Sequence, residues 1–212
     1  MLGLWSRGVC RLLRVRLRVE GPVPRSPFLL VSNHLGYLDV PVLGAVAPGR
    51  FVAKQEVRSW PGVGLLARSA GTIFVDRRSR RDALRVADAL AAAIAGGDSV
   101  IIFAEATSSA GERVLPFRPA LLEWAAQTGF PVHFASLHYR TPAGGPPAHE
   151  AVCWWGDMTF TGHLPGLARL PWIEATVRFG SFAVQEGERR VLAARLHQAV
   201  EDQFTPVVSE SR

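Results

Sequence analysis

The chain has 212 residues, enough for one domain with a sizeable core. It carries a formal net charge of +6, almost all of it from arginine, since Lys54 is the sole lysine, and its mean hydropathy is +0.14. A basic and rather apolar chain points to an anionic partner such as a nucleic acid, an acidic substrate or an anionic membrane surface. The two cysteines, Cys10 and Cys153, form no disulfide or metal framework and fit a reducing compartment. The six histidines are dispersed without zinc-ligand spacing, so no metal is expected. No apolar run reaches the ~18 residues of a membrane span.

In chain order, the first expected element is an amphipathic helix over residues 1–15, with Leu2, Trp5, Val9, Leu12 and Leu13 on one face and Arg7, Arg11 and Arg14 largely on the other. Two readings fit it: a helix lying in the membrane interface, or a helix packed on its own domain. The remainder, 16–205, reads as one domain. Arg16–Glu20 alternates like a half-buried strand, and Phe28–Val31 is a continuous apolar strand. A turn around His34 leads into a short helix from Val40 to Val46, which Pro48-Gly49 breaks. Arg50–Lys54 is a strand, a short helix ends near Gly71, and Thr72–Val75 is a further strand.

Ser79 and Asp82 have capping-box spacing and open an Ala-rich helix that stops at Gly96-Gly97. Val100–Phe103 is an apolar run of the kind buried on both faces. A loop from Glu105 to Phe117 precedes a helix that Pro119 starts and Gly129 closes. Strands follow at Pro131–Tyr139, Val152–Trp155 and Ile173–Phe179; a last helix covers Gly187 to Asp202, and the tail after Thr205 is expected to be loose. Alternating strands and helices make an α/β sandwich with a mostly parallel central sheet.

Polar clusters follow three of the apolar strands: Asn33-His34 with Asp39, then Asp76-Arg77, then Glu105-Ala106-Thr107-Ser108. In an open sheet the C-terminal strand ends converge on one crevice. Imidazole is suited to take a proton near neutral pH, and a carboxylate on its other nitrogen fixes the tautomer. Residues five apart on one helix are ~140° apart, so His34 must sit in the turn and Asp39 in the first helical turn for them to meet. Gly36 permits such a bend. Asp39 also has a plainer reading as a helix cap. A base, an anion-binding arginine and a hydrogen-bonding acid in one pocket suit group transfer to the hydroxyl of an anionic acceptor.

These clusters resemble the glycerolipid acyltransferases of phospholipid synthesis, the lysophosphatidate acyltransferase family. Its block N-H-x-x-x-x-D matches Asn33, His34 and Asp39. G-x-I-F-I-x-R matches Gly71, Ile73, Phe74 and Arg77, with Val75 in place of Ile, and F-P-E-G-T-R-S is met at Phe103, Glu105, Thr107 and Ser109. Leu115-Pro116-Phe117-Arg118 is similar to the family's P-F-K/R segment, and Pro131-Val132 stands at the fourth block. Ala104, Ala106 and Ser108 depart from the third block, which puts Ser where the family has a phosphate-gripping arginine.

The resemblance implies acyl transfer from coenzyme A or acyl carrier protein to a lysophospholipid hydroxyl, giving phosphatidic acid from 1-acylglycerol 3-phosphate. The altered third block leaves open another lysolipid, as in the related lyso-ornithine-lipid acyltransferases. It implies His34 as general base and Asp39 as its orienting partner, with Arg77, Glu105, Thr107 and Arg118 binding the acceptor. Backbone amides after His34 are candidates for the oxyanion. The absence of a G-x-S-x-G elbow argues against an acyl-enzyme. No cofactor, metal or nucleic acid is implied. The expected place of work is the cytoplasmic face of the cell membrane, with peripheral attachment to an anionic surface. A lipid-binding protein without catalysis is the rival from another class.

Overall fold

The computed structural model describes residues 2–60, 63–69, 71–75 and 80–208. Its strands are β1 (Val15–Glu20), β2 (Leu29–Ser32), β3 (Arg50–Lys54), β4 (Ile73–Val75), β5 (Val100–Phe103), β6 (Val132–Arg140) and β7 (Ile173–Phe179). They form one seven-stranded sheet in the order β1-β7-β6-β2-β5-β3-β4. All neighbouring pairs run parallel except β6 with β7, which is antiparallel. The mostly parallel α/β architecture expected from the alternating pattern is the one observed.

β2 and β5 are buried along their whole length, which their uninterrupted apolar runs require of central strands covered on both sides. β7 alternates buried and half-buried residues. The helices are α1 (Leu2–Leu12), α2 (Asp39–Val46), α3 (Val63–Ser69), α4 (Arg80–Ala95), α5 (Glu123–Thr128), α6 (Ala148–Ala151), α7 (Phe160–Arg169) and α8 (Arg189–Gln203). Leu30 of β2 faces a cluster with Cys10, Val42, Leu43, Ala148 and Leu167 from α1, α2, α6 and α7. Leu29 and Val31 face the other side, with Val86 and Leu90 of α4, Ala125 of α5, and Leu192 and Leu196 of α8.

Three expectations are corrected. Val152–Trp155 is not a strand: α6 ends at Ala151, and the segment continues irregularly, with Trp154 N–H donating to Leu35 O at 2.8 Å. The helix α7 was not foreseen; Pro165, Gly162 and Gly166 within it dilute any helical signal. The tail is not loose through Val207, whose amide donates to Gly111 O at 2.8 Å and whose side chain is 9% exposed against the loop after β5. The expected capping pair falls on Ser79 and on the side chain of Asp82, both outside the described residues.

The N-terminal helix also divides its apolar residues differently from the stripe read in the sequence. Ser6 and Cys10 are buried, and Leu2 and Leu13 pack at the core. The helix sits so close to α2 that a Cβ on Gly44 would lie 2.4 Å from Ser6 Oγ. Leu4, Trp5 and Leu12 remain exposed, at 75%, 36% and 77%.

Candidate active site

The strand ends of β2, β5, β3 and β4 all point the same way and meet at one edge of the sheet. β2 delivers His34 there, β5 delivers Glu105, and β3 delivers Lys54. Arg77, expected after β4, lies outside the described residues, as do Asp76 and Arg78.

His34 and Asp39 meet as their spacing allows. His34 Nδ1 lies 2.7 Å from Asp39 Oδ2, with His34 in the turn and Asp39 the first residue of α2. The carboxylate is fully buried. It does not cap its own helix in the usual way. Its Oδ2 accepts from the upstream amides of Leu35 at 2.6 Å and Gly36 at 3.0 Å, which closes the turn on itself. The other oxygen, Oδ1, accepts from the hydroxyl of Tyr139 at 2.7 Å. With Nδ1 committed to Asp39, Nε2 is the ring atom left for a substrate. The imidazole side chain is 21% exposed and stacks on Phe103, the last residue of β5, with centroids 4.0 Å apart.

The same geometry narrows one expectation and adds to another. The amides of Leu35 and Gly36 are spent on Asp39 and are not available to an oxyanion. Gly36 is required by close approach rather than by an unusual backbone: a Cβ there would lie 2.9 Å from Trp154 N.

Glu105 is 2% exposed. Its Oε1 accepts from the amide of His34 at 3.2 Å, while Oε2 has no hydrogen-bond partner among the described residues. Burial pushes its carboxyl up to about 9; the amides of His34 and Leu115 work against this, and the nearby Asp39 charge adds to it. Near neutral pH, Glu105 is therefore an uncharged acid beside the base. Ser109 N–H donates to His34 O at 3.0 Å, so the first and third sequence blocks are joined through the main chain of His34.

Thr107 and Arg118 are exposed at the rim. Arg118 is tied to the strand end by its amide, which donates to Ala104 O at 2.8 Å. Ala106 adopts a left-handed backbone with φ 67°, the conformation glycine favours, at the position where the third block has glycine. Gly71, with φ +68°, likewise serves backbone geometry.

Two residues at the site were missed by sequence reasoning. Tyr139 lies 100 positions from Asp39 and carries no motif signal. Lys54 had a signal in principle: it is the one lysine in the chain and ends an expected strand.

The sequence model of the Acyltransferase family matches residues 14–136, which include His34, Asp39 and Glu105. A lyso-ornithine lipid O-acyltransferase of Brucella abortus is 37% identical over 212 residues, covering 92% of this chain and 78% of that protein. A 1-acyl-sn-glycerol-3-phosphate acyltransferase of Neisseria meningitidis serogroup B is 32% identical over 207 residues, covering 97% of this chain and 79% of its own. The crystal structure of the 1-acyl-sn-glycerophosphate acyltransferase of Thermotoga maritima shares the fold, with a TM-score of 0.63 at 24% identity over 95% of this chain and 77% of that one.

Proposed function

The chain belongs to the acyltransferase family, and from that premise we propose that it moves a fatty acyl group from an acyl thioester to the hydroxyl of a lysophospholipid, 1-acylglycerol 3-phosphate, giving phosphatidic acid. The observation that carries the reading is the buried Asp39 carboxylate on His34 Nδ1, which leaves Nε2 as the proton acceptor.

In this reaction His34 Nε2 takes the proton from the acceptor hydroxyl as the oxygen attacks the thioester carbonyl. Asp39 holds the neutral ring in the tautomer with hydrogen on Nδ1 and then stabilises the imidazolium. The tetrahedral intermediate collapses with cleavage of the C–S bond, and the departing thiolate takes the proton back from His34. General-base catalysis of this kind contributes roughly 10²–10⁴-fold. The proposed reaction invokes no group beyond the acyl-coenzyme A or acyl carrier protein that brings the chain.

For the headgroup, Lys54 and Arg118 supply positive charge at the strand-end edge and offset Ser108, which cannot grip a phosphate bidentately. Arg77 is assigned the same role from its place in the second block, and Thr107 a hydrogen bond to the acceptor. Glu105 is assigned a hydrogen bond to an acceptor hydroxyl through Oε2, which has no partner among the described residues.

A second reading keeps the chemistry and changes the acceptor to lyso-ornithine lipid. It is favoured by Ala106 and Ser108 in the third block and by the Brucella abortus relative.

Attachment is assigned to the exposed Leu4, Trp5 and Leu12 of α1 and the neighbouring Arg7 and Arg11, which suit the interface of an anionic membrane on its cytoplasmic face. Among the described residues no helix is long and apolar enough to cross a membrane.

The test is acyl transfer by vesicle-reconstituted protein, with labelled acyl-coenzyme A and acyl carrier protein thioesters and a panel of lysolipids, beside His34→Ala. Transfer to lysophosphatidate that the substitution abolishes supports the first reading. Transfer only to lyso-ornithine lipid selects the second. Folded protein that binds vesicles yet transfers nothing favours lipid binding without catalysis.

A further inference from the structure

The Asp39 carboxylate is held unevenly. Oδ2 accepts from three donors: the amides of Leu35 and Gly36, and His34 Nδ1. Oδ1 is held by one side chain among the described residues, the Tyr139 hydroxyl at 2.7 Å. Tyr139 lies on β6 four residues beyond Ala135, which pairs with Ser32, the last residue of β2. β6 therefore overruns β2 at the site edge and hangs this ring behind the catalytic turn. The side chain is 1% exposed and packed among the core residues that line α1, α2 and α6.

A hydroxyl in that position has one function open to it. Burial and the Asp39 charge beside it hold the phenol far above its ordinary range, so it stays a donor at every pH of interest. A carboxylate with donors on one oxygen alone is drawn to rotate about Cβ–Cγ until both oxygens share them, and that rotation would misdirect Oδ2. A donor on Oδ1 blocks the rotation and withdraws charge from Oδ2, the atom that binds the imidazole.

We propose that Tyr139 is a positioning residue for acyl transfer, the third member of a Tyr139–Asp39–His34 chain that sets the angle and the charge of the carboxylate behind the base. The proposal rests on the reading of His34 as the base.

The groups facing this chain make its pH behaviour simple. From β5 comes Glu105, raised to about 9 by burial. From α1 comes the Cys10 thiol, raised to about 11, and after α6 the Cys153 thiol, raised further still, both by burial. Among the described residues, these three groups beside Asp39 therefore keep their protons through the acid-to-neutral range and add no charge change of their own there.

The experiment compares pH profiles of kcat/KM for the full chain, Tyr139→Phe and His34→Ala. A fourth protein uses the fact that the chain has two tyrosines, Tyr37 and Tyr139. In a Tyr37→Phe background, biosynthetic 3-fluorotyrosine labels Tyr139 alone and makes its hydroxyl a stronger donor with little change in shape. Its reference is unlabelled Tyr37→Phe. Differences between variants cancel the titration of the acceptor phosphate.

Losing the donor leaves more charge on Oδ2, which holds the imidazolium more tightly, so Tyr139→Phe moves the acid limb to higher pH. The fluorinated protein moves it to lower pH. Tyr139→Phe also lowers kcat by about ten- to a hundredfold, with acceptor KM nearly unchanged. If both proteins keep the reference acid limb while His34→Ala is inactive, the proposal is overturned and the base reading stands. If His34→Ala retains turnover, the base reading fails and the proposal with it. If Tyr139→Phe does not fold, the direction of the fluorotyrosine shift decides.

Discussion

Glu105 holds the main chain of His34, accepting its amide hydrogen on Oε1 at 3.2 Å from a site 2% exposed to solvent. The two residues are 71 positions apart. The acid that the sequence assigned to the acceptor thus also fixes the peptide that carries the base. A displaced base costs rate out of proportion to the distance moved.

Because the Glu105 carboxyl rises from 4.5 to about 9 on folding, it makes stability depend on pH. Below about 4.5 the group is protonated in both states and contributes no slope. Between there and about 9 the unfolded chain gives up a proton that the folded chain keeps, so stability falls as pH rises. The slope is up to about 1.4 kcal/mol per pH unit. Glu105→Gln keeps an oxygen for His34 N and replaces the acid proton with a non-titrating donor. The variant should therefore gain on the wild type as pH rises through this window. Urea midpoints at about pH 5 and about pH 8.5 measure it; parallel pH dependence in the two proteins would refute a neutral, buried acid.

Much of this site was legible in the sequence because it follows strands that announce themselves. β2 and β5 are apolar runs with no polar residue before their ends, and His34 and Glu105 each stand two residues past those ends. The side chains that complete the site were not legible in the same way. Tyr139 belongs to a strand whose length and register decide where its hydroxyl falls, and nothing local encodes a partner 100 residues away. The apolar stretch Val152–Trp155 is too short for periodicity to separate a strand from an irregular segment, and the backbone follows the close approach of Gly36 to Trp154 instead. For α1, an amphipathic pattern reports that one face is apolar, whereas the small Ser6 and Gly44 decide which side packs on the protein.

Asp39→Asn should abolish most activity. The carboxamide presents one acceptor oxygen to four donors, and its NH₂ must face at least one of them. The His34 tautomer with hydrogen on Nδ1 then loses its anchor. Loss of the correct tautomer in comparable triads lowers kcat about 10⁴-fold, and a fall of about 10³–10⁴ is expected here. Stability should drop by about 2–4 kcal/mol, since buried donors are left unpaired. Steady-state turnover and urea denaturation check both; activity within tenfold of wild type is incompatible with Asp39 orienting the base.

Ala106 carries a left-handed backbone with φ 67° in the loop that joins Glu105 to Ser109. A residue with a Cβ bears a penalty of roughly 1–2 kcal/mol there, part of which glycine returns as greater freedom in the unfolded chain. Ala106→Gly should stabilise the protein by about 0.5–1 kcal/mol, read as a higher urea midpoint at unchanged slope. The same substitution restores the glycine of the third block, so acceptor preference can be compared on the same preparation. A midpoint at or below that of wild type would mean that the loop is not strained at this position.

The exposed side of α1 gives the last test. Leu4, Trp5 and Leu12 add nothing to the core yet keep large apolar surfaces in water, flanked by the exposed Arg7 and Arg11. If this side enters the lipid interface, Leu4→Asp with Leu12→Asp removes apolar burial and adds repulsion from anionic headgroups. Partition onto vesicles of mixed neutral and anionic lipid should fall by at least about tenfold. Melting should change little, because exposed substitutions cost about 0.5 kcal/mol or less. Arg7→Gln with Arg11→Gln should instead reduce binding mainly at low salt, since screening already weakens these contacts at high ionic strength. Activity on a detergent-dispersed acceptor should survive both pairs, because neither touches His34 or Asp39. Vesicle binding by the Asp pair equal to wild type would remove α1 from the membrane contact.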